Sequence, residues 1–84
     1  MPRHIVTGID IGVLGIQTMI AEWDDAENRL HIKGIGEAPS LGVRRGDVID
    51  STVLSSQIKK SAAQASEMAG MRISSAFFSY GGTG

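Results

Sequence analysis

Cysteine is absent from this 84-residue chain, so neither a disulfide framework nor a thiolate metal site can brace it. Its two histidines, His4 and His31, are far apart along the sequence and read as strand-surface or hydrogen-bonded side chains rather than ligands. Neither sign of charge prevails: eight Lys and Arg stand against nine Asp and Glu, which gives no electrostatic footprint for nucleic acid. No apolar run reaches the roughly 18 residues of a membrane span. The apolar stretch after Met1-Pro2-Arg3-His4 is broken by Asp10, which a signal peptide would not carry. The chain therefore reads as cytoplasmic and globular. Aromatics are few, one Trp, one Tyr and two Phe, yet hydrophobic residues make up 42%, which excludes a disordered segment. A single domain of this size gains only a few kcal/mol from its core, and below roughly 80 residues staples are usual. Stability must come from packing alone or from atoms outside these residues.

What is present is strand-like in the first half. His4 to Gly12 (HIVTGIDIG) is rich in β-branched residues and nearly continuous in apolar character, the pattern of a strand buried on both faces. Gly12-Val13-Leu14-Gly15 supplies a turn, after which Ile16 to Trp23 resumes an extended apolar segment. The polar cluster Asp24-Asp25-Ala26-Glu27-Asn28 is a hairpin connection and implies antiparallel neighbours. In the third expected strand, Arg29 to Glu37, alternation sets Leu30, Ile32 and Gly34 on one face and His31, Lys33 and Ile35 on the other. Ala38-Pro39-Ser40 ends it, and Leu41 to Asp47, with Arg44 and Arg45, reads as an irregular basic loop exposed to solvent.

From Asp50 the period changes. Leu54, Ile58, Ala62, Ala65, Met68 and Ala69 recur at spacings of three and four, one face of a helix, while Lys59, Lys60, Gln64 and Glu67 fall largely off it. Asp50 or Ser51 can cap its start, and Gly70 suits a left-handed residue at its end. Met68 and Met71 read as gap-fillers there. Ile73 to Tyr80 is a fourth expected strand. The expected order, β-β-β-α-β in a mixed sheet with one crossover helix, matches the first half of a ribonuclease-H-like or actin-like α/β sheet.

Chemical content is concentrated in Gly8-Ile9-Asp10-Ile11-Gly12-Val13-Leu14-Gly15. A carboxylate near the end of a buried strand is costly unless it meets a cation or hydrogen bonds. Magnesium suits it, because Mg²⁺ keeps several waters and takes only one or two protein carboxylates. The glycines let backbone N–H groups approach an anion as a small nest. The bland alternative is a hairpin that begins with Asp and Gly for turn reasons alone.

The chain as a whole resembles the FtsA family, the actin-like ATP-binding proteins of bacterial cell division. Thr7-Gly8-Ile9-Asp10-Ile11-Gly12 is similar to the family's first phosphate-binding motif, and Ile35 to Gly42 resembles the segment after its third strand. Gly46-Asp47-Val48-Ile49-Asp50 looks like its helix entry; Met68-Ala69-Gly70 and Ile73-Ser74-Ser75-Ala76 look like its helix end and next strand. The resemblance implies an actin-like ATPase fold of which residues 1–80 form the first subdomain, incomplete, and residues 81–84 begin the connection to an inserted subdomain. It implies ATP and Mg²⁺ as ligands, with weak or no hydrolysis. Asp10, Gly12, Val13, Leu14, Gly15 and Gln17 would face phosphate, and Asp10 would hold Mg²⁺ through water. It further implies self-association into filaments, a tubulin-like division protein as partner, and a position at the inner face of the cell membrane through a C-terminal amphipathic helix that these residues do not include. Half the nucleotide site would come from another lobe, so the isolated chain is expected to be inactive.

Departures from the family pattern are specific. Where relatives usually place Thr or Ser after Asp-Ile-Gly, this chain has Val13, followed by Leu14, and Gln17 stands near a position often basic. Each missing hydrogen bond to a charged group is worth roughly 1.5–3 kcal/mol. Other actin-like ATPases, including pilus-assembly and rod-shape types, share the Asp-x-Gly strand. A ribonuclease-H-like nuclease needs several carboxylates around two metals, whereas Glu67 lies at the far end of the helix and no Asp or Glu follows Ile73. A non-catalytic protein-interaction fragment, with Asp10 as a turn residue, is the remaining alternative. Trp23, Phe77 and Phe78 read as core or interlobe packing, and the latter two are expected to leave apolar area exposed.

Overall fold

The computed structural model describes residues 4–12, 15–39, 43–44, 47–48 and 51–81. Three strands open the chain, β1 (His4–Gly12), β2 (Ile16–Asp24) and β3 (Arg29–Ala38), within a residue of the expected bounds. Two two-residue strands, β4 (Val43–Arg44) and β5 (Asp47–Val48), pair antiparallel within and one residue beyond the stretch Leu41 to Asp47 expected to be an irregular loop. Helix α1 (Ser51–Ala69) and strand β6 (Phe77–Gly81) follow. The order is thus β-β-β-β-β-α-β, with a small hairpin inserted into the expected β-β-β-α-β. Asp50, one candidate helix cap, and Arg45 lie outside the described residues.

The four long strands form one mixed sheet in the order β3-β2-β1-β6. The β1–β2 and β2–β3 pairs are antiparallel, and β6 is parallel to β1. Helix α1 packs over β3 and β2, so the chain must cross to the opposite edge to reach β6. Residues 71–76 make that crossing without regular structure, which is why the fourth long strand starts at Phe77 and not at Ile73.

The core lies between α1 and one face of the sheet. Ile9 and Ile11 of β1 and Ile16 of β2 cluster with Leu54, and Ile58 and Ala76 pack against them. On β3 the same face carries Gly34, Gly36 and Ala38, register partners of Ile20, Thr18 and Ile16. The glycines admit the helix backbone: a Cβ on Gly36 would sit 1.8 Å from the Ser61 carbonyl oxygen, and one on Gly34 2.2 Å from that of Ala65. The buried helix residues are Leu54, Ser61 and Ala65. Met68, expected on this face as a gap-filler, is exposed, because the helix meets the sheet along its small residues. Ser61 Oγ donates to the Gly36 carbonyl at 3.0 Å, which leaves Thr18 Oγ1 to donate to Ser61 Oγ at 2.9 Å.

A bulge re-aims β3. Ala21 faces Ile32 while Ile20 faces Gly34, so Lys33 is the extra residue. The alternation expected from sequence therefore fails at this point: Gly34 turns under the helix, and Leu30 and Ile32 stay on the opposite, half-exposed face. Lys33 Nζ lies 3.6 Å from Glu22 Oε1.

The helix ends as its glycine predicts. Gly70 has φ 67°, its N–H donates to Glu67 O at 3.3 Å, and the Met71 N–H donates to Ser66 O at 3.2 Å, a Schellman arrangement. Ser66 Oγ adds a bond to the Met71 carbonyl. The sheet face away from α1 carries no helix among the described residues. Val6, Met19, Ile32 and Phe77 are exposed on it, in line with the apolar exposure expected for Phe77 and Phe78.

Candidate functional site

Strand alternation sets Ile9 and Ile11 into the core and turns Asp10 to the open face. Asp10 is exposed. The expectation of a strand buried on both faces is therefore corrected: among the described residues helix α1 covers one side only, and the exposed Asp10 carboxylate carries no burial penalty that demands a cation. Its placement remains informative. Asp10 is in register with Gln17 on antiparallel β2 and with Ser79 on parallel β6, so three oxygen-bearing side chains form a row across the sheet. The row borders a cavity of about 300 Å³ that Gly8, Met19 and Phe77 also line.

The glycine turn lies at the same end of the sheet. Gly12 N–H donates to Gly15 O at 3.0 Å and closes the β1–β2 connection, so this N–H belongs to the turn. Val13 and Leu14, the two residues that depart from the usual phosphate-facing pattern, lie outside the described residues. Gly15 and Gln17 border a second open cavity of about 600 Å³ with Ile16, Glu37, Ala38 and Pro39. Gln17 thus stands between the two cavities. Ser79 was not singled out from sequence, because only the long-range β1–β6 register brings it beside Asp10. The oxygen atoms of this row are of the kind a hard ion such as Mg²⁺ takes as ligands.

No protein-family model matches the chain. It is 39% identical over 80 residues to the cell division protein FtsA of Pseudomonas aeruginosa, a match that covers 93% of this chain and 18% of that protein. It is 36% identical over 69 residues to FtsA of Streptococcus pneumoniae, covering 82% of this chain and 15% of the relative.

The chain belongs to the FtsA family.

FtsA of Borreliella burgdorferi adds a match at 34% identity over 83 residues, 99% of this chain and 20% of its own length. The chain spans about a fifth or less of the FtsA relatives it matches. The mixed four-strand sheet with its one long helix is an α/β fold compatible with an actin-like domain. Among the described residues no helix is long and apolar enough to cross a membrane.

Proposed function

We propose that this FtsA-family chain is the first subdomain of an actin-like cell-division protein and that its β1–β2 turn meets the phosphates of MgATP. The observation that carries the reading is the row Asp10, Gln17 and Ser79 beside the Gly12–Gly15 turn. Asp10 would hold Mg²⁺ through water, the ion supplying charge neutralisation at the phosphates. The turn N–H groups beyond Gly12 would approach the phosphate oxygens, and Gln17 would donate its side-chain amide. Val13 and Leu14 bring no hydroxyl to this contact, so affinity rests on backbone and on groups from the rest of a longer protein.

The ribonuclease-H-like assignment rests on the mixed sheet with β6 parallel to β1. Filament formation, a tubulin-like division partner and attachment to the inner membrane face through a C-terminal amphipathic helix belong to the same reading; the relatives' name, cell division protein FtsA, supports its cell-division part alone. Other actin-like ATPases of pilus-assembly or rod-shape type are the nearest alternatives. A non-catalytic interaction fragment draws on the open apolar face instead.

Titration calorimetry separates these readings. The 84-residue chain alone is expected to show no micromolar binding of MgATP. Exchanged for the matching stretch of a full-length FtsA, it is expected to support binding that Asp10→Asn weakens at least about tenfold, as the loss of a ~1.5 kcal/mol charge-assisted contact would. Binding indifferent to Asp10→Asn overturns the role of the turn.

A further inference from the structure

At the opposite end of the sheet from Asp10, the β2–β3 turn gathers three side chains that are spread over eight positions of sequence, Asp24, Glu27 and His31. His31 Nε2 lies 2.8 Å from Glu27 Oε1 and 3.3 Å from Asp24 Oδ2, and the three donor atoms all lie within 4.8 Å of one another. Asp24 is held in place by its other oxygen: Oδ1 accepts the Ala26 N–H at 2.9 Å and the Glu27 N–H at 3.1 Å, which leaves Oδ2 directed at the imidazole. The His31 and Asp24 side chains are 30% and 34% exposed and that of Glu27 55%, so the cluster is open to solvent and to an entering ion.

We propose that Asp24, Glu27 and His31 form a site for a divalent transition metal ion of the zinc class, held by one imidazole nitrogen and two carboxylate oxygens. Zinc binds such atoms at about 2.0–2.2 Å, which sets neighbouring ligands of a tetrahedral ion roughly 3.3 Å apart. The observed 2.8 and 3.3 Å separations lie close to that spacing. The imidazole selects the ion, because nitrogen suits Zn²⁺, Ni²⁺ or Cu²⁺, whereas Mg²⁺ and Ca²⁺ prefer oxygen alone. A single ring nitrogen faces both carboxylates, so the ion would bind Nε2 of the neutral ring in the tautomer that carries its proton on Nδ1, and metal bonds would replace the contacts of Nε2 with the two carboxylates. Three protein ligands leave one position for water, the arrangement of an exchangeable site. The cluster is not evident from spacing along the chain, because it forms only when β3 pairs with β2 and brings His31 back beside the carboxylates of the turn.

The full chain titrated with ZnCl₂ is expected to bind one ion. His31→Asn, and Asp24→Asn with its turn-capping Oδ1 retained, should each weaken binding by at least the roughly 10–100-fold that even an outer-shell partner is worth. His4→Asn should leave it unchanged, because His4 Nε2 pairs separately with Asp25 Oδ2 at 3.8 Å. Nitrogen-15 spectra of the unsubstituted chain give a readout free of any folding defect: Zn²⁺ should shift the His31 Nε2 resonance and not that of His4. Absence of saturable binding, a His31 resonance indifferent to Zn²⁺, or equal loss in the His4 and His31 variants overturns the site and leaves the cluster as a hydrogen-bonded clasp on the turn.

Discussion

Gly36 lies directly beneath Ser61, its carbonyl accepting the serine hydroxyl at 3.0 Å and its missing side chain leaving room for the serine backbone. A methyl group there would have to share space with the Ser61 carbonyl oxygen 1.8 Å away. Overpacking typically costs about 1–3 kcal/mol, and a backbone atom cannot swing aside as a side chain can. Gly36→Ala is therefore expected to cost at least about 3 kcal/mol, enough to abolish a cooperative thermal transition in a small chain. Gly8→Ala is the control, since its Cβ would meet nothing within 4 Å. Equal melting temperatures for the two variants would refute the close approach.

Removing the Ser61 hydroxyl strands two groups at once. Ser61→Ala should cost about 1–3 kcal/mol because the Thr18 hydroxyl and the Gly36 carbonyl lose their partner in a dry interface. Thr18→Val removes one of those orphans. Denaturant melts of a double-mutant cycle should then show non-additivity of at least about 0.5 kcal/mol; strict additivity would mean that the two hydroxyls do not act together.

Asp24 supplies a pH prediction. The Glu27 N–H is the largest influence holding its carboxyl below the usual 3.8; burial partly opposes it, and the Ala26 N–H and the Glu27 and His31 side chains reinforce it. A carboxyl with a lowered folded-state value binds its proton more readily when unfolded. Its contribution is thus present above pH 3.8 and is lost as pH falls through the lowered value. Carbon-13 NMR of the Asp24 carboxyl should give a midpoint below 3.8; a midpoint at or above it would contradict the turn geometry.

The open face should be visible to a dye. Phe77 is 77% exposed and follows Val6, Met19 and Ile32 on the side of the sheet that α1 leaves bare. Strong ANS fluorescence is expected, and Phe77→Ser should reduce it while shifting stability by no more than about 0.5 kcal/mol, as for an exposed position. Weak dye binding together with a sharp melt would mark the chain as self-sufficient.

Local signals were legible in the sequence and long-range ones were not. The bounds of β1, β2 and β3, the Asp24–Asn28 turn and the Gly70 cap are set by neighbours a few residues away, and each lies within a residue of where residue type alone puts it, whereas β6 starts four residues later than its apolar run. The Lys33 bulge depends on how β3 fits β2, so strict alternation misassigned Gly34. Ser61, not among the residues expected on the helix's inner face, is buried there and Met68, expected there, is exposed, because the helix approaches glycines, where a small polar side chain fits and a long apolar one does not. At the candidate site Asp10, Gly12, Gly15 and Gln17 were read from the motif, whereas Ser79 required the pairing of β6 with β1.

That pairing also orders the assembly of the fold. β1, β2 and β3 are joined by short turns and can pair as soon as they are made, but the Gly8–Phe77 pairing of β1 with β6 spans α1 and the connection after it. Loop closure over such a span is slower than closing a turn, and β6, like β3, is held by one neighbouring strand only. The edge bearing Phe77, Ser79 and Tyr80 is thus expected to close after the β1–β2–β3 meander and to exchange its amides sooner than β1, so the row around Asp10 is completed by the slower of the sheet's pairings.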